Sequence, residues 1–557
     1  HAGEQHGAAP VLPVRERTLL GRMARPAHRF IAFNKHTGEP IWFNGTTPLP
    51  EDTTFSTPVF TVLNGQAAMV VGSGDGYVYA FQPRTGKMIW RYRLSRRGLN
   101  LTPFVQDGRV YMGHAEENDD NTLGAIVALD ATKSGDITSA GPLWRAEGMT
   151  GKGSPVMFDG RVYIPDDGGK LYVLDAKTGE EVCHPIKLIG TIVRASPVVA
   201  DGKIYLCSTS GWHTFQIVES GLKPIQKLRL PQEDEVTGSI AISHGRIYLP
   251  TRAHLYCIGP KEVKPQAASR PNPPVELPAG KDDQPAQIQL TPVESLLKPG
   301  EKLPFSVRSY NARGQLLGRV NQATFSLDGP GAIDAKGLFT AAPGKEHTAT
   351  IVTAKLGNAS AQARLRVVPP LPWKFDFTNK EVPITWIGAR YRHQFREVDG
   401  EPAIVKITTI PKGTRSQLWM GPHTLHDYTI QADYKAAKSN QKLPDMGLVA
   451  QRYTMDLMGQ SQQVQLRSWT SQLGRFSKNV PFSWKEGVWY TLKFRAATDD
   501  GKAVLQGKVW ERGQPEPAAW TIEATDEYPN LTGSPGLFGN ANDSEITIDN
   551  VLVTPNT

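Results

Sequence analysis

The stretch GSGDGYVYAF at residues 72–81, followed by Thr85-Gly86 and Ile89-Trp90, decides the fold because the same order of residues returns along the first half of the chain. The better copies combine a Ser/Thr-Pro start, an Asp-Gly or Asn-Gly turn and short apolar runs, and the best of them end in a tryptophan. Further copies are marked by Thr102-Pro103, Ser154-Pro155, Ser196-Pro197 and, more weakly, His244-Gly245. A period of about 45 residues built from short strands is typical of a propeller blade.

The residues within each copy explain why it would form strands. The runs alternate apolar and polar side chains, as half-buried strands do. The Asp-Gly and Asn-Gly pairs supply the positive φ angles that tight hairpins need. No single blade can bury both of its faces, so we expect the repeated tryptophan to pack between neighbouring blades.

Two copies carry a specific resemblance to a known family. Residues 77–90, with Thr85-Gly86 and Trp90, and residues 171–179, with Thr178-Gly179, resemble the repeat of PQQ-like β-propellers. The resemblance covers residues 29–260. This family includes quinoprotein alcohol dehydrogenases and BamB-like outer-membrane assembly lipoproteins, so it implies a fold while leaving the activity open.

The copies are unequal at the two ends of the repeat region. Residues 29–44 match only the last two strands of a unit, and the fifth copy has no closing tryptophan hairpin. We expect residues 29–44 to pair either with the unit at 237–258 or with an upstream segment. We expect a periplasmic or extracellular protein, although these residues contain no signal peptide. Blades upstream of His1 would then be cleaved off or supplied by another chain, and closure of a five- or six-bladed ring is the alternative.

Composition excludes several classes of protein. The 557 residues carry a net charge of +8 that is spread along the chain, which does not suggest a nucleic-acid-binding stripe but allows a mild attraction to acidic polysaccharide. The sequence contains no stretch of 18 apolar residues, so we expect no membrane-spanning helix. The three cysteines form neither a Cys-x-x-Cys-His haem motif nor a Cys-x-x-Cys zinc motif, and one disulfide or free thiols are both open.

The length predicts three or more domains, and their strand-like runs predict an all-β protein. We predict an N-terminal extension at 1–28, propeller repeats at 29–260, a Pro-rich linker at 261–283 and an Ig-like sandwich at 284–368. Residues 331–341 resemble the signature of bacterial Ig-like domains. Residues 369–557 form the last domain, in which WKEGVWY at 484–490 and the strand-like run at 546–553 resemble concanavalin-like and laminin-G-like jelly rolls.

The repeat region contains one candidate metal site. The loop at 114–121 is rich in oxygen ligands, and calcium prefers oxygen. Its candidate ligands for Ca²⁺, with a solvated loop as the alternative, are Glu116, Glu117, Asp119 and Asp120. Arg96, Arg97 and Arg194 fall in connections between blades, where they would either line one mouth of the channel or serve as surface charges.

The last domain contains eight of the twelve tryptophans and is the candidate ligand-binding domain. Aromatic rings can stack on sugar rings, but they can equally fill the core of a sandwich. The stacking candidates are Trp386, Trp419, Tyr453 and Trp469. Paired carboxylates could also run glycoside hydrolysis, and the candidates are Asp445, Asp456 and Glu486.

These observations favour a non-catalytic binding or scaffold protein that presents propeller and jelly-roll surfaces to protein or glycan partners at the cell surface. No cofactor is assigned, and calcium is the one ion that the sequence suggests. The alternatives are a PQQ- and Ca²⁺-dependent quinoprotein dehydrogenase and a carbohydrate-active enzyme of the jelly-roll type. The dehydrogenase would need a calcium–base constellation and usually adjacent cysteines, and no Cys-Cys pair occurs.

Overall fold

The computed structural model describes residues 12–14, 18–23, 28–47, 54–262, 274–280, 283–389, 392–407, 415–468, 476–541 and 544–556. The chain divides into two compact units. The first comprises His1–Gln287 and Ser309–Gly318, and the second comprises Ile288–Arg308 and Arg319–Thr557. Within the described ranges, the regular structure is β-strand apart from two short 3₁₀ helices, Thr138–Ala140 and Gln232–Asp234. The described residues include no helix that is long and apolar enough to cross a membrane.

The described part of the repeat region folds into six consecutive antiparallel sheets. The strands of sheet 1 are Leu12–Val14, Thr18–Met23, His28–Asn34 and Pro40–Thr47. Those of sheet 2 are Val59–Leu63, Gln66–Gly72, Tyr77–Phe81 and Met88–Arg93, with Gly135–Asp136 added in parallel. Those of sheet 3 are Phe104–Gln106, Arg109–Glu117, Leu123–Asp130 and Trp144–Ala146.

The later sheets follow the same order of strands. The strands of sheet 4 are Val156–Phe158, Arg161–Pro165, Lys170–Asp175 and Glu181–Lys187. Those of sheet 5 are Val198–Ala200, Lys203–Ser208, Gly211–Val218 and Gly221–Arg229. Sheet 6 has three strands, Ala241–Ser243, Arg246–Pro250 and Leu255–Ile258, as the missing tryptophan hairpin of the fifth copy predicted.

The turns within the sheets confirm the expected backbone. In sheets 2 to 6, a pair of residues with positive φ joins the first strand to the second, such as Asn64-Gly65 (48° and 74°) and Asp159-Gly160 (51° and 70°). Two consecutive positive φ angles define the type I′ turn, whose twist matches that of the strands it connects. These pairs, including His244-Gly245 in sheet 6, therefore fix the first turn of sheets 2 to 6.

Sheet 1 corrects the interpretation of residues 29–44 as half a unit. Strand His28–Asn34 pairs with Thr18–Met23, which pairs in turn with Leu12–Val14. Of the two pairings that the sequence left open, the structure has the one with an upstream segment. The first two strands carry neither the Ser/Thr-Pro nor the Asp-Gly signal, so the repeat pattern could not reveal them.

The described part of the linker is not a free spacer. Glu276 forms an ion pair with Arg84 (3.0 Å) and accepts a hydrogen bond from the backbone N–H of Ala67 (3.1 Å). Leu277 donates its N–H to the carbonyl of Gly65 (2.9 Å), and its side chain lies where a β-carbon on Gly65 would have to be. Residues 274–280 are therefore anchored to sheet 2, at its first hairpin and at the turn that contains Arg84.

The region at 284–368 contains strands where the sequence predicted them. Its strands are Gln287–Thr291, Glu294–Leu297, Lys302–Pro304, Ser306–Tyr310, Leu316–Val320, Thr324–Asp328, Ala332–Ile333, Leu338–Thr340, Thr348–Leu356 and Ala359–Val367. Strands Thr348–Leu356 and Ala359–Val367 pair along their whole length. Val352 and Leu365 of these strands share a small core with Phe339.

Two antiparallel sheets share one core in the C-terminal region. The strands of the larger sheet are Trp373–Phe375, His393–Val398, Glu401–Lys406, Tyr428–Ala436, Tyr490–Asp499, Lys502–Glu511, Ile522–Asp526 and Ile546–Pro555. Those of the smaller sheet are Arg415–Trp419, Asp445–Ala450, Tyr453–Met458, Gln463–Ser468, Ser477–Pro481 and Gly536–Asn540. The last strand lies between Glu401–Lys406 and Tyr428–Ala436, so the run at 546–553 is a central strand.

Candidate functional site

Tryptophans of the repeat join one sheet to the next, as the sequence predicted. Each indole Nε1 donates to a carbonyl in the following sheet: Trp42 to Pro83 (3.0 Å), Trp90 to Ala131 (3.1 Å) and Trp144 to Ala176 (3.0 Å). The ring of Trp144 lies directly on Gly179, where a β-carbon would come within 2.6 Å of it. This glycine is therefore required both for its positive φ and for close approach of the ring.

The Ser/Thr residues that begin the repeats form a hydrogen-bonded series. Each backbone N–H donates to the side-chain hydroxyl at the equivalent position of the next sheet: Thr57 to Thr102 (3.1 Å), Thr102 to Ser154 (2.9 Å), Ser154 to Ser196 (3.0 Å) and Ser196 to Ser239 (2.9 Å). The series links sheets 2 to 6. These hydroxyls thus have a structural role, because each accepts a hydrogen bond from the preceding sheet.

The carboxylates of the predicted calcium loop are engaged by arginines. Asp119 accepts two hydrogen bonds from Arg93 (2.9 and 3.2 Å), which lower the pKa of its carboxyl group. Asp120 lies 3.6 Å from Arg145, and Glu117 lies 3.6 Å from Arg97. The described residues include no group of three or more His, Cys, Asp or Glu side chains that could hold a metal ion. Glu116 belongs to the same strand end, and the four carboxylates do not converge.

The three candidate arginines also make local contacts. Arg96 donates to the side chain of Asn121 (2.8 Å) and to the carbonyl of Asp119 (2.7 Å). Arg194 is exposed and lies 4.0 Å from Glu235. Together with Arg97, they join connections between sheets to the loops of the following sheet, and the structure does not gather them into one site.

The outer strand of sheet 6 is exposed along its whole length. All four residues of Leu255–Ile258 are exposed, with Leu255 at 71% and Ile258 at 46%. No strand in the described part of the chain pairs with its outer edge. A row of exposed apolar side chains along an unpaired strand is a template for pairing with another chain.

A polar cluster fixes this strand from its inner side. The buried carboxylate of Asp234 accepts hydrogen bonds from Thr251 (2.7 Å), His254 (2.8 Å) and the hydroxyl of Tyr256. These bonds lower the pKa of Asp234 to about 2. The edge strand is therefore held in one position although it has a single neighbouring strand.

The aromatic candidates of the C-terminal region separate into buried and accessible rings. Tyr453 is fully buried, and its hydroxyl donates to Asp526 (2.6 Å). Trp386 is buried between Phe375 and Phe377, with ring centroids 4.9 and 5.9 Å away. Neither ring has a face for a sugar, so for these two residues the stacking hypothesis is corrected to a role in the core. Trp469 lies outside the described residues.

The carboxylates considered for glycoside hydrolysis have structural partners. Asp445 accepts from the N–H of Gly459 (2.9 Å) and from Asn540 (3.2 Å). Asp456 is buried and lies 3.3 Å from Arg467. Glu486 lies 3.8 Å from Lys438 at the surface. Each therefore ties together neighbouring parts of the fold.

Trp419 remains as the accessible ring, and it lines a surface cleft of about 300 Å³. The cleft is lined by Trp419, His423, Arg452, Thr532, Gly533 and Ser534. These residues come from three segments: the end of strand Arg415–Trp419 with the loop after it, the hairpin turn before Tyr453–Met458, and the loop before Gly536–Asn540. The volume matches the lower end of small-molecule sites.

Gln451 builds the turn that places Arg452 in this cleft. Gln451 and Arg452 both have positive φ (46° and 63°), which side chains other than glycine rarely adopt. The buried amide of Gln451 accepts from the N–H of Asp427 (2.8 Å) and donates to the carbonyl of Leu531 (3.0 Å). Its own N–H donates to Tyr428 Oη (2.9 Å). Surrounding contacts therefore hold a turn that its own sequence disfavours.

Comparisons with known proteins bear on the repeat region. Residues 27–264 match a family model described as outer membrane protein assembly factor BamB, which covers less than half of the chain. Among solved structures, BamB from Moraxella catarrhalis is 15% identical with a TM-score of 0.34, covering 61% of this chain and 95% of that one. The computationally designed Ika8 protein is 14% identical with a TM-score of 0.34, covering 46% and 72%. No curated protein matches the chain.

Residues 27–264 are similar to the BamB family of PQQ-like repeats. The match supports the predictions of a β-propeller and of the PQQ-like repeat, which the six sheets and their tryptophan contacts already indicated. It says nothing about the C-terminal region, which lies outside the matched residues. The propeller is therefore one part of the molecule, and the Trp419 cleft belongs to another.

Sequence reasoning found Trp419 but missed the rest of its cleft. Arg452 and Thr532 lie in segments without a recognisable motif, and they meet only because the strands on either side of them are paired. The open edge of sheet 6 had a visible signal, since its copy lacks the closing tryptophan hairpin. Asp234, which anchors that edge, had none.

Proposed function

We propose that this chain is a non-catalytic binding protein of the cell envelope that holds an extended segment of another protein along the open edge of propeller sheet 6. The observation that carries the proposal is the exposed strand Leu255–Ile258. Sheets 1 to 5 each have a fourth strand, so the fold of the repeat itself indicates what kind of partner fits: an antiparallel or parallel β-strand.

The alternation of hydrogen bonds supports this geometry. Thr251 N–H donates to His254 O (2.8 Å), so this pair closes the hairpin, and Pro250 pairs with Leu255. In an antiparallel ladder, bonded pairs alternate with unbonded ones. The N–H and C=O groups of Leu255 and Cys257 therefore face the open side, where a partner strand would bond to them. Each such bond contributes about 1 kcal/mol.

The family description indicates a class of partner. It names outer membrane protein assembly, and bacterial outer-membrane barrels consist of strands of about 10 residues that alternate apolar and polar side chains. Because successive side chains of a strand point to opposite faces, such a strand would lay its apolar side chains on one face of sheet 6, beside either Leu255 and Cys257 or Tyr256 and Ile258. This partner class, and a periplasmic or extracellular location, are parts of the proposal.

The remaining regions would serve the same role. We propose that residues 284–368 form an Ig-like spacer and that residues 369–557 form a concanavalin- or laminin-G-like jelly roll that adds a second binding surface. The predicted boundary at 261–283 falls where residues 274–280 are anchored to sheet 2. This anchoring supports a connection of fixed geometry on the propeller side.

The test uses two variants at one position. Cys257→Pro removes the outward N–H, whereas Cys257→Ser keeps it, and a proline is tolerated where the N–H faces solvent. A fluorescent ten-residue peptide of alternating valine and threonine is titrated into the full chain and into both variants. We expect binding by the wild type and by Cys257→Ser, and at least a tenfold weaker binding by Cys257→Pro. Equal binding by the two variants would remove the edge strand from the proposal.

A second measurement separates binding from catalysis. Dye-linked alcohol oxidation is followed after addition of PQQ and Ca²⁺. We expect no turnover above background. Turnover above ~1 s⁻¹, the low end of ordinary enzymes, would replace the binding proposal with the dehydrogenase alternative.

A further inference from the structure

The Trp419 cleft presents an unused cationic group beside an aromatic ring. Arg452 donates its Nε–H to the carbonyl of Thr532 (3.0 Å), which fixes the plane of the guanidinium. Among the described residues, no carboxylate forms an ion pair with Arg452, and its two η nitrogens are left for another acceptor. A guanidinium held in one plane is suited to a bidentate bond with a carboxylate or sulfate.

The walls of the cleft add groups that suit a sugar. The half-buried ring of Trp419 offers an apolar surface on which the C–H groups of a pyranose can pack. Ser534 donates its hydroxyl to the carbonyl of Gly421 (3.1 Å), so its oxygen remains an acceptor for a ligand hydroxyl. Thr532 and His423 complete the polar rim.

The cleft is built in advance of any ligand. A β-carbon on Gly533 would lie 2.8 Å from the backbone N of Arg452, so only glycine lets these two segments meet. Tyr428 Oη donates to the carbonyl of Gly533 (2.8 Å) and thereby also fixes the contact between Gly533 and Arg452. Positive φ at Gln451 and Arg452 is unfavourable for side chains other than glycine. The pair forms the two-residue hairpin turn between Ala450 and Tyr453, and this turn fixes the position of Arg452.

From these observations we propose that the Trp419 cleft binds one saccharide unit that carries an anionic group, with the sugar ring on Trp419 and the carboxylate or sulfate on Arg452. A volume of about 300 Å³ fits a single ring. The cleft belongs to the second compact unit and sheet 6 to the first, so the assignment extends the proposed function and does not depend on it.

The test compares charged and neutral ligands on the full chain. Galacturonate, galactose 6-sulfate and galactose are titrated at low salt, and binding is followed by calorimetry. We expect at least one of the two anionic ligands to bind tenfold or more tightly than galactose, and the stronger of them identifies the anion. Equal affinity for all three ligands, or no binding to any, would overturn the proposal.

Two arginine variants distinguish the site from general charge. Arg452→Gln removes the guanidinium from the cleft, and Arg319→Gln removes one exposed positive charge from another part of the chain. We expect Arg452→Gln to weaken anionic binding at least tenfold, which corresponds to about 1.4 kcal/mol, and Arg319→Gln to leave it unchanged. Trp419→Phe is expected to weaken the anionic ligand and galactose alike. Equal losses from both arginine variants would indicate unspecific attraction and refute the assignment.

Discussion

Sheets 2 and 6 of the propeller are built from the same repeat, but the outer strand is covered in sheet 2 and exposed in sheet 6. In sheet 2, Trp90 is fully buried and bonded to the next sheet. In sheet 6, Leu255 is 71% exposed on the outermost strand. The difference shows that the closing tryptophan hairpin covers the outer edge of a sheet in this repeat. A copy without this hairpin leaves the edge strand unpaired.

Sheets 4 and 5 show intermediate stages of the same trend. The last strand of sheet 4 carries Cys183 in place of a tryptophan, and its Sγ lies on Gly221 as the ring of Trp144 lies on Gly179. The last strand of sheet 5 has neither, and its Ile225 and Leu228 are 53% and 49% exposed. The last strand is therefore less well covered in sheets 4 and 5, where no tryptophan closes the repeat.

The largest expected effect comes from breaking a sealed sheet. Trp90→Ala removes a fully buried indole and its bond to Ala131, and truncations of this kind cost about 3–5 kcal/mol. Leu255→Ala removes an exposed side chain, and the expected change is within about 0.5 kcal/mol. Urea unfolding monitored on the propeller measures both. Similar losses for the two variants would show that the edge of sheet 6 is covered in solution.

The second effect concerns the glycine under the ring. Gly179→Ala would place a β-carbon 2.6 Å from the ring of Trp144 at a φ of +77°. We expect a loss of about 2–4 kcal/mol from overpacking and strained backbone together. Gly160→Ala is the control, because it has a φ of +70° but no atom within 4 Å. It should show the backbone cost alone, so an equal loss for the two variants would rule out a close ring contact.

The sequence predicted those parts of the fold whose signals are local. Asn64-Gly65 and its counterparts fixed the turns, and Trp42, Trp90 and Trp144 fixed the contacts between sheets, because each acts through neighbours that recur with every repeat. Strands Leu12–Val14 and Thr18–Met23 were missed because they carry no repeat residues. Their place is set by pairing with His28–Asn34, which only the folded chain displays.

The candidate sites were less predictable, for a physical reason. Tyr453 and Trp386 have the chemistry of sugar-binding residues, but their burial depends on which face of a strand they occupy. The turn at Gln451-Arg452 contains neither Gly nor Asn, so nothing local marks it. Its conformation comes from bonds to Tyr428, Asp427 and Leu531, which lie in other segments.

A third, smaller effect tests the hydroxyl series that links the sheets. Ser154→Ala removes the acceptor for the N–H of Thr102, and the loss of one such bond costs about 1 kcal/mol. Ser134→Ala, at an exposed position in a loop, is the control and should be silent. If the hydroxyl series joins the sheets, Ser154→Ala should increase amide hydrogen exchange in sheets 3 and 4 together. If only sheet 6 exchanged faster, the hydroxyl series, and not the missing tryptophan, would be the cause of the weak edge.

The smallest expected effect is confined to the open edge itself. Asp234→Asn keeps the size of the side chain but weakens its acceptance of bonds from Thr251, His254 and Tyr256. We expect faster amide exchange in Leu255–Ile258, little change in the global unfolding of the propeller, and no change in sheet 2. Glu233→Gln removes the neighbouring exposed charge and should leave the edge as it is.

The same anchor predicts a pH dependence with a definite sign. Hydrogen bonding lowers the pKa of Asp234 from 3.8 to about 2, so its contribution to stability is complete above pH 3.8 and is lost as the pH falls towards 2. Exchange in Leu255–Ile258, corrected for the intrinsic rate at each pH, should therefore rise across this window in the wild type. Asp234→Asn should already exchange fast at neutral pH and show a much smaller rise. An identical rise in both proteins would mean that another group holds the edge strand, and the contrast with sheet 2 would then need a different explanation.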